Sequence, residues 1–114
     1  MSTHIVTSHG GDFFDQDRYE LRDLTALAGY AEGTLPHVSQ PVLVRLLARA
    51  GDGDQEVPAE TAAEMAGLFR RVAAHRFTRP KPSAHAARLA AAAARAASEG
   101  EPWTWTLTTD EETP

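Results

Sequence analysis

Trp103-Thr104-Trp105-Thr106-Leu107-Thr108 alternates strictly between large apolar side chains and threonines. Successive side chains of a strand point to opposite faces, so the stretch predicts a half-buried strand with Trp103, Trp105 and Leu107 on its inner face. Near the other end of the chain, Thr3-His4-Ile5-Val6-Thr7-Ser8 is β-branched at four of six positions and runs out at Gly10-Gly11. That composition predicts a second short strand. Two strands at opposite ends of one chain pair most economically with each other. A two-stranded ribbon is marginal alone, so the tryptophan face must pack on whatever lies between.

What lies between reads as helix. Ala62, Met65, Ala66, Phe69, Val72 and Ala73 recur at helical spacing behind Pro58, a good first-turn residue. Leu43, Leu46, Leu47 and Ala50 mark a helix from Gln40 to Ala50, capped by Ser39. An earlier helix is expected from about Gln16 to Glu32, with Asp15 as N-cap and Gly33 as its stop, behind a polar loop that carries Phe13 and Phe14. The last helix is expected from Ser83 to Ser98 and holds ten alanines between Ala84 and Ala97. Arg79-Pro80-Lys81-Pro82 before it reads as a stiff linker. The expected fold is α+β, mostly α: about four helices packed against a small sheet formed by the N- and C-terminal strands. One globular domain is expected over residues 1–109, followed by an acidic frayed tail at 110–114.

A chain of 114 residues supports one modest core. Its net charge of −5 argues against wholesale coating of nucleic acid. With no cysteine there is no disulfide framework, thiol nucleophile or thiolate metal site. No basic-then-apolar leader and no long apolar run is present, so a cytoplasmic protein without membrane association is expected. Asparagine is absent, and 21 alanines and 10 arginines stand against one lysine and one isoleucine. That bias suggests a GC-rich bacterial genome or one of its phages.

Three segments are candidates for function. Ser8-His9-Gly10-Gly11-Asp12-Phe13-Phe14-Asp15 is the most unusual string, and Ser8, His9, Asp12 and Asp15 could hold a small ligand or exchange protons. The plainer reading is a strand-ending turn. Ser8 and His9 are neighbours on a strand and should point to opposite faces, which disfavours a nucleophile–base pair. No histidine pair at helical spacing and no metal, phosphate-loop or dinucleotide motif occurs, so no catalytic residue, cofactor or metal site is expected. Asp52, Asp54 and Glu56 alternate as in part of a calcium loop but lack its later acid.

The second candidate is the window 70–88, which contains Arg70, Arg71, His75, Arg76, Arg79, Lys81 and Arg88 and no acid. Its formal charge is +6, leaving −11 for the rest of the chain. It reads as an anion or acidic-partner patch, or as a helix-end cluster neutralised by the chain's own acids. The third candidate is the pair Trp103 and Trp105, either as core or as an exposed aromatic surface.

With these residues assembled, the chain resembles a group of small actinobacterial proteins of unknown function. The resemblance rests on Ser8-His9-Gly10 followed by Asp12-Phe13-Phe14, on the helix start behind Val57-Pro58, and on Pro102-Trp103-Thr104-Trp105. It implies a bacterial origin and carries over no catalytic residue. Three classes of function follow from the residues themselves. The first is a non-catalytic protein-interaction module of inhibitor, immunity or antitoxin type. The second is a nucleic-acid or phosphate binder using residues 70–88, and the third is a ligand site or enzyme at Ser8 to Asp15. The partner expected is another protein, with nucleic acid disfavoured. A homodimer is also expected as an option, through unpaired sheet edges or through the alanine faces of the last helices.

Overall fold

The N-terminal strand β1 (Ser2–Ser8) and the C-terminal strand β4 (Trp103–Asp110) pair antiparallel, with Thr7 opposite Trp105 and Ile5 opposite Leu107. This arrangement comes from a computed structural model, which describes residues 2–11 and 16–110. The expected core of the sheet is therefore present, but the sheet has four strands in the order β2-β1-β4-β3. Strand β2 (Gln16–Glu20) pairs with β1, and the short β3 (Gln55–Val57) pairs with β4.

Both added strands correct the sequence reading. Gln16 to Glu20 was expected to be helical. Instead Asp17 and Tyr19 point inward while Gln16 and Arg18 point out, the two-residue period of a strand. Helix α1 accordingly runs over Leu21–Thr34 behind Glu20, so Asp15 does not cap it, and Gly33 lies inside the helix rather than after it. β3 occupies the outer side of β4, and Asp54 Oδ1 extends its reach by accepting the Leu107 N–H at 2.8 Å. The edge of β1 that was expected to invite a second copy is thus occupied by β2, and that of β4 is covered by β3 over Trp103, Thr104 and Trp105 and by Asp54 at Leu107.

Helix α2 (Gln40–Ala48) follows, two residues shorter than expected, and Ser39 makes no side-chain capping bond. Helix α3 (Ala59–Ala74) buries Ala62, Met65, Ala66, Leu68, Phe69 and Val72. Helix α4 (Pro80–Glu99) begins three residues before the expected Ser83 cap. Proline lacks an N–H that the first helical turn would leave unpaired anyway, so Pro80 and Pro82 open the helix instead of forming a linker. Ser83 Oγ donates to the Ala73 carbonyl at 2.6 Å and ties α4 to the end of α3. Gly100 closes α4 with φ of 67°, the left-handed cap that glycine adopts without a Cβ penalty.

The helices α3 and α4 form a hairpin joined by residues 75–79, in which Ala86, Ala90, Ala93 and Ala96 are buried. Small side chains let the two helices approach closely. The buried alanines are therefore used inside the chain, whereas Ala84, Ala87 and Ala91 lie on the exposed face of α4. Trp103, Trp105, Tyr19 and Ile5 fill the inner side of the sheet against the hairpin, with Phe69 edge-on to Trp103 at a centroid distance of 6.1 Å. No helix among the described residues is long and apolar enough to cross a membrane. Residues 111–114 of the expected tail lie outside the described residues, and Asp110 closes β4.

Candidate functional site

Strand β1 ends at Ser8, and His9 turns the chain with φ of 61°, the sole non-glycine residue with positive φ among the described residues. This left-handed step swings the imidazole back toward its neighbour. Ser8 Oγ and His9 Nδ1 lie 2.8 Å apart, although side chains of adjacent strand residues should diverge. The turn is fixed from several sides. Arg95 Nη1 donates to the carbonyls of His9 and Gly10 at 2.9 and 2.8 Å. Trp103 Nε1 donates to the Ser8 carbonyl, and Ser8 Oγ accepts the Thr104 N–H at 2.9 Å. A Cβ on Gly10 would stand 2.5 Å from the Asp17 backbone nitrogen, so only glycine permits this approach.

The other ring nitrogen faces the end of α4. His9 Nε2 lies 2.7 Å from Glu101 Oε1 and 3.6 Å from Glu99 Oε1. The hydrogen bond to His9, and after it one to Glu99, holds the Glu101 carboxyl below its ordinary range. The series Ser8–His9–Glu101 has the connectivity of a serine–histidine–carboxylate relay. The serine, however, already accepts a backbone N–H and does not line the neighbouring cleft, so it orients the ring. Asp12 and Asp15, the other two candidates in this loop, lie outside the described residues.

That cleft, about 460 Å³, is lined by Gly11, Asp17, Arg88, Ala91 and Arg95. Asp17 is 3% exposed and accepts from Arg88 Nη2 at 2.9 Å. The Arg88 guanidinium also sits 5.1 Å above the Tyr19 ring. Burial, and then the Asp17 charge, pushes the Tyr19 phenol well above its usual range. His85 meets Tyr19 edge-on and has Asp23 Oδ2 at 3.6 Å, yet neither ring nitrogen makes a hydrogen bond. Burial pushes the His85 imidazole below its ordinary value, against the opposing pull of Asp23.

The basic window thus divides. Arg88, itself partly exposed, is paired with the buried Asp17, whereas Arg70, Arg71, Arg76, Arg79 and Lys81 are exposed around the α3–α4 turn with no such partner. Among the described residues no carboxylate pairs with these five, so the expected neutralisation by the chain's own acids is not found there. In the same turn Phe77 is 69% exposed, a residue the charge reading passed over although it stands in the sequence between Arg76 and Arg79. The Arg76 guanidinium lies 4.8 Å from its ring centroid, and the Phe77 N–H donates to His75 Nδ1. Trp103 and Trp105 are fully buried and edge-on to each other at 5.3 Å, so of their two readings the core one holds and the recognition surface does not.

The gathering of His9 with Glu99 and Glu101 was not legible in the sequence. The one available signal was a pair of acids at the end of an alanine helix, where the dipole disfavours them. No curated protein and no solved structure is detectably similar to this chain. A family model does match, over residues 10–106, and so spans β2, β3, all four helices and the first half of β4. The chain belongs to the family described as a domain of unknown function (DUF7739).

Proposed function

We propose that this protein is a non-catalytic interaction module that docks an acidic protein surface through the α3–α4 turn, in the manner of an inhibitor, immunity or antitoxin-like accessory protein of the bacterial cytoplasm. One observation carries the reading: an exposed phenylalanine, overlain by Arg76, lies in the α3–α4 turn, and no carboxylate of the described residues neutralises that arginine or the four other cations of the window. Exposed aromatic rings ringed by arginine are the composition of energetic anchors in protein interfaces. The unpaired cations would speed encounter with an acidic partner and fix its orientation.

Nucleic acid is the second reading and is less well supported. The rest of the chain carries −11 and would repel a phosphate backbone beyond the turn. A single phenylalanine also offers one stacking surface, not the series that tracks a strand of bases. The test is affinity capture from source cells, with wild type beside Arg76→Glu/Phe77→Ser. The expected result is one stoichiometric, nuclease-resistant protein partner that the double variant loses and that salt of about 0.5 M releases. Capture unchanged by the double variant, or abolished by nuclease, would overturn the reading.

A further inference from the structure

We propose that His9, Glu99 and Glu101 form a binding site for one divalent transition-metal ion of the zinc class. Their three donor atoms, the His9 Nε2 and one oxygen from each carboxylate, lie within 4.8 Å of one another. Ligands of a tetrahedral zinc ion are separated by roughly 3.4 Å, given bonds of about 2.1 Å. The observed separations from Nε2, 3.6 Å to Glu99 and 2.7 Å to Glu101, bracket that value. Both carboxylates are half-exposed, and to meet it the Glu99 separation closes by about 0.2 Å and the Glu101 separation opens by about 0.7 Å.

The electrostatics point the same way. Glu99 is the last residue of α4 and Glu101 follows its cap, so both sit at the negative end of the helix. There is no basic residue in the last turn of α4. The nearest cation, Arg95, is held by the His9 and Gly10 carbonyls. Two like charges and a helix terminus therefore converge on one imidazole, which supplies at most one positive charge. A dication neutralises both carboxylates.

The surroundings of His9 suit a ligand. Ion binding at Nε2 requires the ring proton to reside on Nδ1, and a neutral ligand histidine donates that proton to an outer partner. Ser8 Oγ stands 2.8 Å from Nδ1 and is fixed by the Thr104 N–H. A hydroxyl both donates and accepts, so the same contact serves the ring before and after the proton moves. The imidazole nitrogen selects zinc-class ions over calcium and magnesium, which favour oxygen ligands throughout. Three protein donors leave a fourth position for water.

The test is a zinc titration by calorimetry at pH 7.5 in a non-coordinating buffer. Wild type is expected to bind one ion per chain with Kd on the order of 10 µM or tighter, with binding reversed by chelator. Glu101→Gln and Glu99→Gln, exposed changes at a helix end, are each expected to weaken binding at least about tenfold. His9→Gln is expected to abolish it, and Ser8→Ala, which removes only the orienting hydroxyl, to weaken it about tenfold. Histidine NMR would follow the proton to Nδ1 on zinc addition. Failure of wild type to bind below ~1 mM, or displacement of zinc by equimolar calcium, would overturn the proposal. Equal affinity in Glu99→Gln/Glu101→Gln would place the ion elsewhere and overturn it as well.

Discussion

The two ends of α4 both carry charge against the helix's own dipole, and they are built in opposite ways. At the N-terminal end Arg79 and Lys81 stand exposed, with no acid in the first turn. At the C-terminal end Glu99 and Glu101 close in on His9, whose backbone is held by Arg95 and whose ring is held by Ser8. One end gathers its misplaced charges around a single imidazole. The other leaves them spread about the turn that carries Phe77. A compact arrangement of charge suits a small ion, and a dispersed one beside an apolar ring suits a protein surface. The same helix therefore presents two recognition problems of different size.

The contrast depends on a rigid hairpin between the two ends, so the largest effect should come from breaking the hairpin. Phe69 is fully buried and edge-on to Trp103, among alanines too small to fill its space. Phe69→Ala is expected to cost about 3–5 kcal/mol in denaturant unfolding. An unchanged midpoint would mean that the two ends are not held by a common core. Arg88 and Arg76 sharpen the comparison next, as a paired and an unpaired guanidinium of the same window. Arg88→Ala leaves the Asp17 carboxylate buried without its 2.9 Å partner and should cost about 2 kcal/mol. Arg76→Ala should stay within about 0.5 kcal/mol in the same assay. Equal losses would erase the distinction between the paired and unpaired cations.

A smaller effect is expected from acid. The His85 imidazole is held below its ordinary value by burial, with Lys81 and Arg88 adding to the shift and Asp23 opposing it. The unfolded chain therefore binds the proton more readily. Stability from the neutral ring is full above the unfolded value near 6.5 and is lost as pH falls below it. His85→Gln should flatten the decline in stability between about pH 7 and 5. Parallel curves for wild type and variant would show that His85 is not the titrating group. The smallest change tests the dipole itself. Lys81→Glu, in the first turn of α4, should raise stability by about 0.3–1 kcal/mol while weakening capture of an acidic partner. A thermal melt and the capture assay on one preparation would separate the two outcomes.

The parts of the molecule legible in the sequence are those where burial follows periodicity. The α3 stripe from Ala62 to Val72 and the alternation from Trp103 to Leu107 place residues inside as their spacing requires. β2 escaped because one of its two inward positions is Asp17, a charge that becomes buried only because Arg88 arrives from 71 residues away. β3 escaped because Gln55-Glu56-Val57 is too short to show a period. The prolines at 80 and 82 were read as exclusion from helix, whereas their position in the first turn makes them compatible with it. Of the candidate loop, Ser8 and His9 were visible as residues but not as a contacting pair. The positive φ that joins them is a property of backbone held by Arg95, and Glu101 reaches the ring across 92 residues of chain. Around residues 70–88 the cations were legible, and Phe77 was in plain view but unweighted beside them.

The strands paired at the centre of the sheet also set the order of events during synthesis. Thr7 pairs with Trp105, and Ile5 with Leu107, so β1 waits for almost the whole chain before it meets β4. At ordinary translation rates that delay is about 5–20 s. The α3–α4 hairpin closes through contacts near in sequence and forms early. Until β4 emerges from the ribosome, β1 has only β2 beside it and the inner face lacks both tryptophans. The sheet's central pair therefore joins segments about 100 residues apart, and it closes only after the helical hairpin between them has been made.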